Sequence, residues 1–254
     1  DAGLEVRDLP GRKVVELRSE RVFLDAAVVE AAFKHLPGAE GVLTYFVNSI
    51  RAGSRLTPYS FVTAAGEPLT PATMATNEMV VNDWLAEDLS VKPGDSVDLT
   101  YYVMGATRTL EEKTSSLKIH SVVPILGAAA DRDLMPVFPG LSDSGNCRDW
   151  DSGIPINLAS IRPKDEAYWD RYRGTPKAFV ALSAAQGMWA NRIGSLTAVR
   201  YASQTVEMVS ALVRQTLDPA ALGFVFRPVR AEGLKAAGQS VDFGQLFIGL
   251  SGFV

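Results

Sequence analysis

Two helical stripes, each flanked by extended runs and placed near opposite ends of the chain, most constrain its fold. In the first, "KVVELRSERVFL" (13–24) alternates loosely and reads as a strand. Asp25 can cap the run that follows, "AAVVEAAFKHL", where Val28, Val29, Ala32, Phe33 and Leu36 recur at helical spacing. Pro37-Gly38 stops that helix. "GVLTYFVNSIRAG" is then a strand, and "YSFVTAAG" its expected partner. In the second, "SQTVEMVSALVRQTL" places Val206, Val209, Leu212, Val213 and Leu217 on one stripe, with Ser203 as expected cap and Asp218-Pro219 as stop. "GFVFRPVRAEGLKAAG" is expected to follow as a strand and a loose turn.

Between these halves the pattern turns to short strands. "PLTPATMATN" is a loop, "EMVVN" a strand, and "DWLAEDL" a short helix with Asp83 as expected cap. "KPGD" is a tight turn before the strand "SVDLTYYVM", and "SSLKIHSVVPI" alternates as its pairing partner. A long irregular stretch, 127–174, keeps Tyr168, Tyr172, Trp150 and Trp169, which argues against disorder. Loops of that length are either functional or ordered insertions with short helices. "KAFVAL", "SAAQGMWANRI" and "SLTAVRYA" then read as strand, helix and strand. The expected fold is therefore α+β, with residues 1–65 and 203–254 as two halves of one mixed unit and residues 66–202 as a β-rich insert.

Composition narrows the function. The chain has 254 residues, 47% hydrophobic and 21% charged, enough for a sizeable core. A net charge of −4 supplies no basic field for nucleic acid or for anionic membrane. Cys147 is the sole cysteine, so no intrachain disulfide forms.

Catalytic signatures are sparse. No phosphate loop and no Gly-x-Gly-x-x-Gly is present, so neither ATP hydrolysis nor dinucleotide binding is expected, and no cofactor is implied. "GLSDSG" and "GLSG" lack the spacing of a nucleophile elbow. "SSLK" (115–118) matches Ser-x-x-Lys, but in an alternating strand Ser115 and Lys118 point to opposite faces. His35, at a helix C-terminus, and His120, in a strand, form no metal pair. The acidic group Asp131, Asp133, Asp143, Asp149 and Asp151 is the candidate cation site, because Ca²⁺ takes oxygen ligands; Asp131, Asp133, Asp149 and Asp151 are the candidate ligands. Against it, position 12 counted from Asp149 is Ser160 rather than Glu, and Arg132 or Arg148 could neutralise the carboxylates instead. The tryptophans read as packing residues.

The chain ends in "DFGQLFIGLSGFV", whose last ten residues carry no charge. No stretch reaches the ~18 apolar residues of a spanning helix. Such an ending, on a chain without an initiator Met, suggests a piece of a longer polypeptide; the alternative is a complete protein whose last element is buried.

Three stretches resemble the permeases of FtsX/MacB/LolC-type ABC transporters. "EMVVNDWLAEDLSVKPGDSVDLTYYV" is similar to the segment where a short strand and helix end in a Lys-Pro-Gly-Asp turn before a strand. "GTPKAFVALSAAQGMWANRIGSLTAVRY" resembles a later strand, helix and strand. "DFGQLFIGLSGFV" resembles the point where the extracytoplasmic domain re-enters the membrane as the second transmembrane helix. The resemblance implies a MacB-like periplasmic core, with a porter-like mixed subdomain built from both chain ends and an inserted sabre-like β-rich subdomain. It implies a domain on the periplasmic side of the bacterial inner membrane, membrane-anchored in the full-length protein, with no enzymatic activity of its own. The partners implied are a cytoplasmic ABC ATPase, a second permease subunit in a homo- or heterodimer, and a periplasmic adaptor or lipoprotein cargo. Phe243, Leu246, Phe247, Ile248 and Leu250 would be membrane-proximal. The 127–174 stretch is longer than the family pattern. Two other readings stand beside this one. One is a soluble metal-dependent hydrolase using the acidic loop around Asp131–Asp151. The other is a binding module whose long loop grips a periplasmic protein or a lipid chain.

Overall fold

A computed structural model describes residues 3–34, 37–105, 109–151, 153–225, 227–239 and 247–249. The chain divides into two compact units, Asp1–Leu217 and Asp218–Val254. Among the described residues the first unit contains nine strands, β1 (Leu4–Leu9), β2 (Val14–Ser19), β3 (Ala39–Ala52), β4 (Arg55–Ala64), β5 (Glu78–Asn82), β6 (Ser96–Met104), β7 (Leu110–Val123), β8 (Ala178–Val180) and β9 (Ala198–Ala202). Its helices are α1 (Ala26–Lys34), α2 (Asp83–Leu89), α3 (Pro163–Tyr172), α4 (Leu182–Trp189) and α5 (Val206–Thr216).

One strand organises all the others. The first part of β3 pairs with β9 from Ala39↔Tyr201 to Val42↔Ala198, completing a sheet ordered β1-β2-β9-β3. From Leu43 onward β3 pairs with β4, and at Ser49, Ile50 and Arg51 it pairs with β6. Following the ladder from β4 through β8, β5, β7 and β6 returns to β3, so the second part of the strand closes a barrel. Closure leaves the ring without a free edge. The expected segments 1–65 and 66–202 thus share hydrogen-bonded structure through β3, and β9 of the second segment lies in the sheet with β2 of the first.

Register explains why some strands are apolar throughout. In β5, Met79 and Val81 face the same way as their partners Val180 and Ala178, while Val80 and Phe179 face the other way. All six are buried. Val80 and Phe179 join Ala129 and Leu134 of the 127–174 segment in one apolar cluster. Phe46 and Phe61 join Leu141, Cys147, Trp150 and Trp169 of that segment in another. The segment is an ordered cover over the barrel strands, with 3₁₀ turns at Gly127–Ala130, Arg132–Leu134, Cys147–Asp149 and Leu158–Ser160, followed by α3. In contrast, Leu110–Thr114 of β7 is exposed on both faces, which is why alternation marks that strand only from Ser115 onward.

Local chemistry sets the elements, with corrections at the caps. Asn82, not Asp83, caps α2: its Oδ1 accepts from the Leu85 N–H at 2.8 Å, while Asp83 Oδ1 accepts from Trp84. Thr205, not Ser203, caps α5 by accepting from Met208; Ser203 adopts a positive φ and its N–H donates to the Lys13 carbonyl. The Lys92-Pro-Gly-Asp95 turn closes on itself, with the Lys92 N–H donating to Asp95 Oδ2 at 2.9 Å, and Gly94 takes φ +93° as the turn requires. Gly194 admits the Leu24 carbonyl where any Cβ would collide with it. On α1, Val28, Ala31 and Ala32 are buried and Phe33 is exposed, so the buried stripe is narrower than expected; His35 and Leu36 lie outside the described residues. On α5, Val209 and Val213 are buried as the stripe requires.

The second unit differs from its expectation. Pro219–Leu222 is a 3₁₀ turn closed by Gly223, and Val229–Gln239 is a helix, α6, where a strand and loose turn were expected. Residues 229–237 are all exposed, so the helix carries no apolar stripe to read. Its signals were Pro228 ahead of the start and the Ala, Glu, Leu and Lys residues within.

Asn82 combines a cap with a buried junction. It is fully buried, and its Nδ2 donates to Tyr168 Oη at 3.1 Å and to the Pro176 carbonyl at 3.3 Å. Asn82→Ala is expected to cost about 2–4 kcal/mol in urea unfolding, and Asn82→Ser, which keeps a cap acceptor but loses the amide donors, to cost less. Equal losses would show that the cap contributes nothing.

Candidate functional site

Three places concentrate chemistry in the first unit. The first is a row of alternating charge across the open sheet. Cross-strand register places Arg7 opposite Glu16, Glu16 opposite Arg200, and Arg200 opposite Glu40. Opposed residues share a face, so these four form one line. Their neighbours Leu17 and Val199, and Val15 and Tyr201, share the opposite face and are buried. Arg7 Nη2 lies 2.8 Å from Glu16, and Arg200 Nε lies 2.8 Å from the other oxygen of Glu16. Arg200 Nη1 reaches Asp131 at 2.7 Å, Arg12 also pairs with Asp131, and Arg7 lies 3.1 Å from Asp133. The start of the 127–174 segment is thereby clasped to the sheet. Burial alone would lower the pKa of Arg200, but the charges of Glu16 and Asp131 outweigh it and the net direction is up. Partners on both sides offset the desolvation that an isolated buried guanidinium would suffer.

This clasp accounts for two of the five acidic residues, Asp131 and Asp133. Asp131 is buried, N-caps its 3₁₀ turn through the Asp133 N–H, and is neutralised by Arg12 and Arg200. The neighbours expected to neutralise the acids do other things: Arg132 donates to the Arg171 carbonyl, and Arg148 lies 3.8 Å from Glu166. Asp149 accepts from Asn146 Nδ2 at 2.7 Å, and Asp151 is exposed. Asp143 is exposed too. Among the described residues no group of three or more His, Cys, Asp or Glu side chains could hold a metal ion, so the four Ca²⁺ candidates are not brought together. His120 Nδ1 sits 3.1 Å from Glu78, whose pKa is held down by the Ala75 N–H and then by His120. Ser115 hydrogen-bonds Tyr101 Oη, away from Lys118.

The second place is an aromatic cleft. Two adjoining hollows of about 230 and 470 Å³ share Phe23, Tyr45 and Leu110. The larger falls within the ~300–1,000 Å³ range of small-ligand sites. Tyr45 stacks on Trp189 at 5.1 Å and meets Tyr101 edge-on. Its hydroxyl donates to the Tyr102 carbonyl at 2.6 Å, and burial pushes its pKa up to about 12. Met104 and Leu110, an exposed cross-strand pair, stand at the opening with Lys113 and Arg192. Among the described residues its lining pairs no nucleophile with a base.

The third is a small cavity under the 127–174 cover, between β4 and α3. Ser60, Cys147, Trp150, Asp165, Trp169 and Lys177 line it. Ser60 Oγ, Trp150 Nε1 and Trp169 Nε1 are sealed from solvent with no hydrogen-bond partner in the protein. Each such orphan ordinarily costs about 1–3 kcal/mol. Lys177 is 4% exposed, and its ammonium lies over the Trp84 and Tyr168 rings at 4.4 and 4.7 Å. Burial lowers its pKa to about 8, against the opposing pull of Asp165; Arg162 pushes the same way as burial. Burial and then Glu166 push the Cys147 thiol up to about 12, so it is no thiolate nucleophile at neutral pH. Sequence patterns flagged none of this: Lys177 sits at the start of an apolar strand run, and the orphan donors arise only from packing.

Of the expected membrane-proximal residues, Phe247 and Ile248 are helical and exposed, and Phe243, Leu246 and Leu250 lie outside the described residues. Among the described residues no helix is long and apolar enough to cross a membrane.

No protein-family model matches the chain. No curated protein matches it. Among solved structures it is similar to the crystal structure of the periplasmic region of MacB from Actinobacillus actinomycetemcomitans, at 8% identity and a TM-score of 0.44, covering 91% of this chain and 94% of that one.

The depressed pKa of Lys177 sets a pH dependence. In the folded state the amine gives up its proton near pH 8, and in the unfolded chain near ~10.4, so between these values the unfolded state binds more protons. Stability relative to a Lys177→Met variant should therefore rise with pH across that window, by up to about 1.4 kcal/mol per pH unit. Urea midpoints of the two proteins between pH 7 and 10.5 check this; a constant difference would contradict it.

Proposed function

We propose that this chain is the extracytoplasmic domain of an ABC transporter permease of the FtsX/MacB/LolC type. In this reading it catalyses nothing itself. A cytoplasmic ATPase partner hydrolyses ATP, and the permease passes the resulting motion to this domain, which acts outside the inner membrane in export, efflux or lipoprotein release. The permease works as a homo- or heterodimer, with a periplasmic adaptor or lipoprotein as its outer partner.

One observation carries the reading. Two sequence stretches that resemble this family form consecutive elements joined in a single assembly. Glu78 to Val103 forms β5, α2, the Lys92–Asp95 turn and β6. Gly174 to Tyr201 forms β8, α4 and β9. The first stretch builds barrel wall, and the second runs from the barrel strand β8 to the sheet strand β9. A domain that transmits motion needs such continuity, because a force applied to one part must displace the other rather than open a gap. The porter-like and sabre-like subdomains of the family would correspond to the open sheet with its helices and to the barrel. The exposed Phe247 and Ile248, with Phe243, Leu246 and Leu250, supply apolar residues for a membrane boundary.

Spheroplasts expressing the full-length polypeptide that carries this chain test the reading. External protease should degrade epitopes within residues 3–217, the protein should stay with the membrane after alkaline carbonate, and an ATP-hydrolysing subunit should copurify in detergent. Recovery in the carbonate supernatant, or purification without a nucleotide-hydrolysing partner, would refute it.

A further inference from the structure

We propose that the cavity beneath the 127–174 cover is a binding site for one monatomic anion of the chloride type, which fastens that cover to the barrel. The donors come from both sides of the junction. Ser60 belongs to β4 of the barrel; Trp150 and Trp169 belong to the cover. All three residues line one cavity, and their hydroxyl and two indole N–H groups are buried without partners in the protein. An indole nitrogen can only donate, so whatever satisfies both tryptophans must be an acceptor. A halide accepts from all three groups at once. A water that accepts from both indoles can give one hydrogen to Ser60 Oγ, but its second hydrogen and the Ser60 hydroxyl proton then still need acceptors.

Charge and size point the same way. Lys177 brings positive charge to the lining, while the exposed Arg173, also in the lining, donates from Nη1 to the Ser144 and Gly145 carbonyls. The ammonium of Lys177 meets ring faces, and among the described residues no hydrogen bond to a carboxylate compensates it. The carboxylate in the lining, Asp165, is engaged by Arg162, which donates to it from the backbone N–H, Nε and Nη2. Glu166, nearby, accepts from the Cys147 N–H through Oε2, its Oε1 is buried without a hydrogen bond 3.8 Å from Arg148 Nε, and it does not line the cavity. The cavity volume of about 20 Å³ admits one water-sized particle and excludes phosphate, sulfate and carboxylates. The site does not rest on the transporter reading.

The test is thermal unfolding of the 254-residue chain at fixed ionic strength while gluconate is exchanged for chloride. The midpoint should rise by about 2–4 °C and saturate, and bromide should act alike. Ser60→Ala, which removes only a hydroxyl, and Trp169→Phe should each flatten the chloride dependence, whatever they do to the midpoint itself. Crystals soaked in bromide should show anomalous density between Ser60, Trp150 and Trp169. Equal midpoints in the two salts, or no bromide density at those residues, would overturn the proposal and leave a water as the occupant.

Discussion

The double pairing of β3 is the constraint on which the rest of the first unit depends. Fourteen residues of one strand serve two structures: Ala39–Val42 complete the open sheet, and the remainder closes the barrel through β4 on one side and β6 on the other. No loop separates the two roles. A backbone that is hydrogen-bonded continuously in this way has no soft point at which the sheet could swing against the barrel. Gly41 lies just before the crossover, where a Cβ would press on the Leu196 side chain leading into β9.

The 127–174 cover is held by two kinds of interaction, one at each end. Near its start, Asp131 and Asp133 are drawn to the arginines of the sheet. Further on, Leu141, Cys147, Trp150 and Trp169 bury themselves against Phe46 and Phe61 of the barrel. Buried aromatic area supplies the larger stabilisation and is indifferent to orientation within limits; the charged clasp is directional and fixes where the cover begins. A long polar-looking stretch therefore acts as a structural lid over strands that are apolar on both faces. Its Ala129 and Leu134 join Val42, Ala65, Met74 and Ala198 in burying Val80 and Phe179.

Much of the fold was legible because its signals are local. The Asp83–Leu89 helix, the Lys92–Asp95 turn and the Ser96–Met104 strand were read within a residue or so, since a cap, a glycine at positive φ and period-two alternation are written in adjacent residues. Errors fell where local signals were absent or non-local forces decided. Leu110–Thr114 alternates with nothing because neither face is buried, and α6 shows no stripe because it buries none. For the acidic group, spacing left cation binding and arginine pairing both open, because it cannot reveal that Arg7, Arg12 and Arg200 converge on Asp131 and Asp133 from other segments. Barrel closure was likewise unreadable, since it depends on Ile50 meeting Leu99 rather than on any pattern in either strand. The cavity with its orphan indoles belongs to the same class: Trp150 and Trp169 pack in the apolar cluster, but what their N–H groups lack is visible only in three dimensions.

Rigid coupling of sheet to barrel through β3 is the central physical claim, and native-state hydrogen exchange tests it most directly. Under conditions where exchange reports opening free energy, the amides of Val42 to Val47 should share one value, equal to that of global unfolding measured by urea. If Val42 and Leu43 instead exchange through an opening much cheaper than those of Phe46 and Val47, the sheet and barrel separate as independent units and the claim is contradicted.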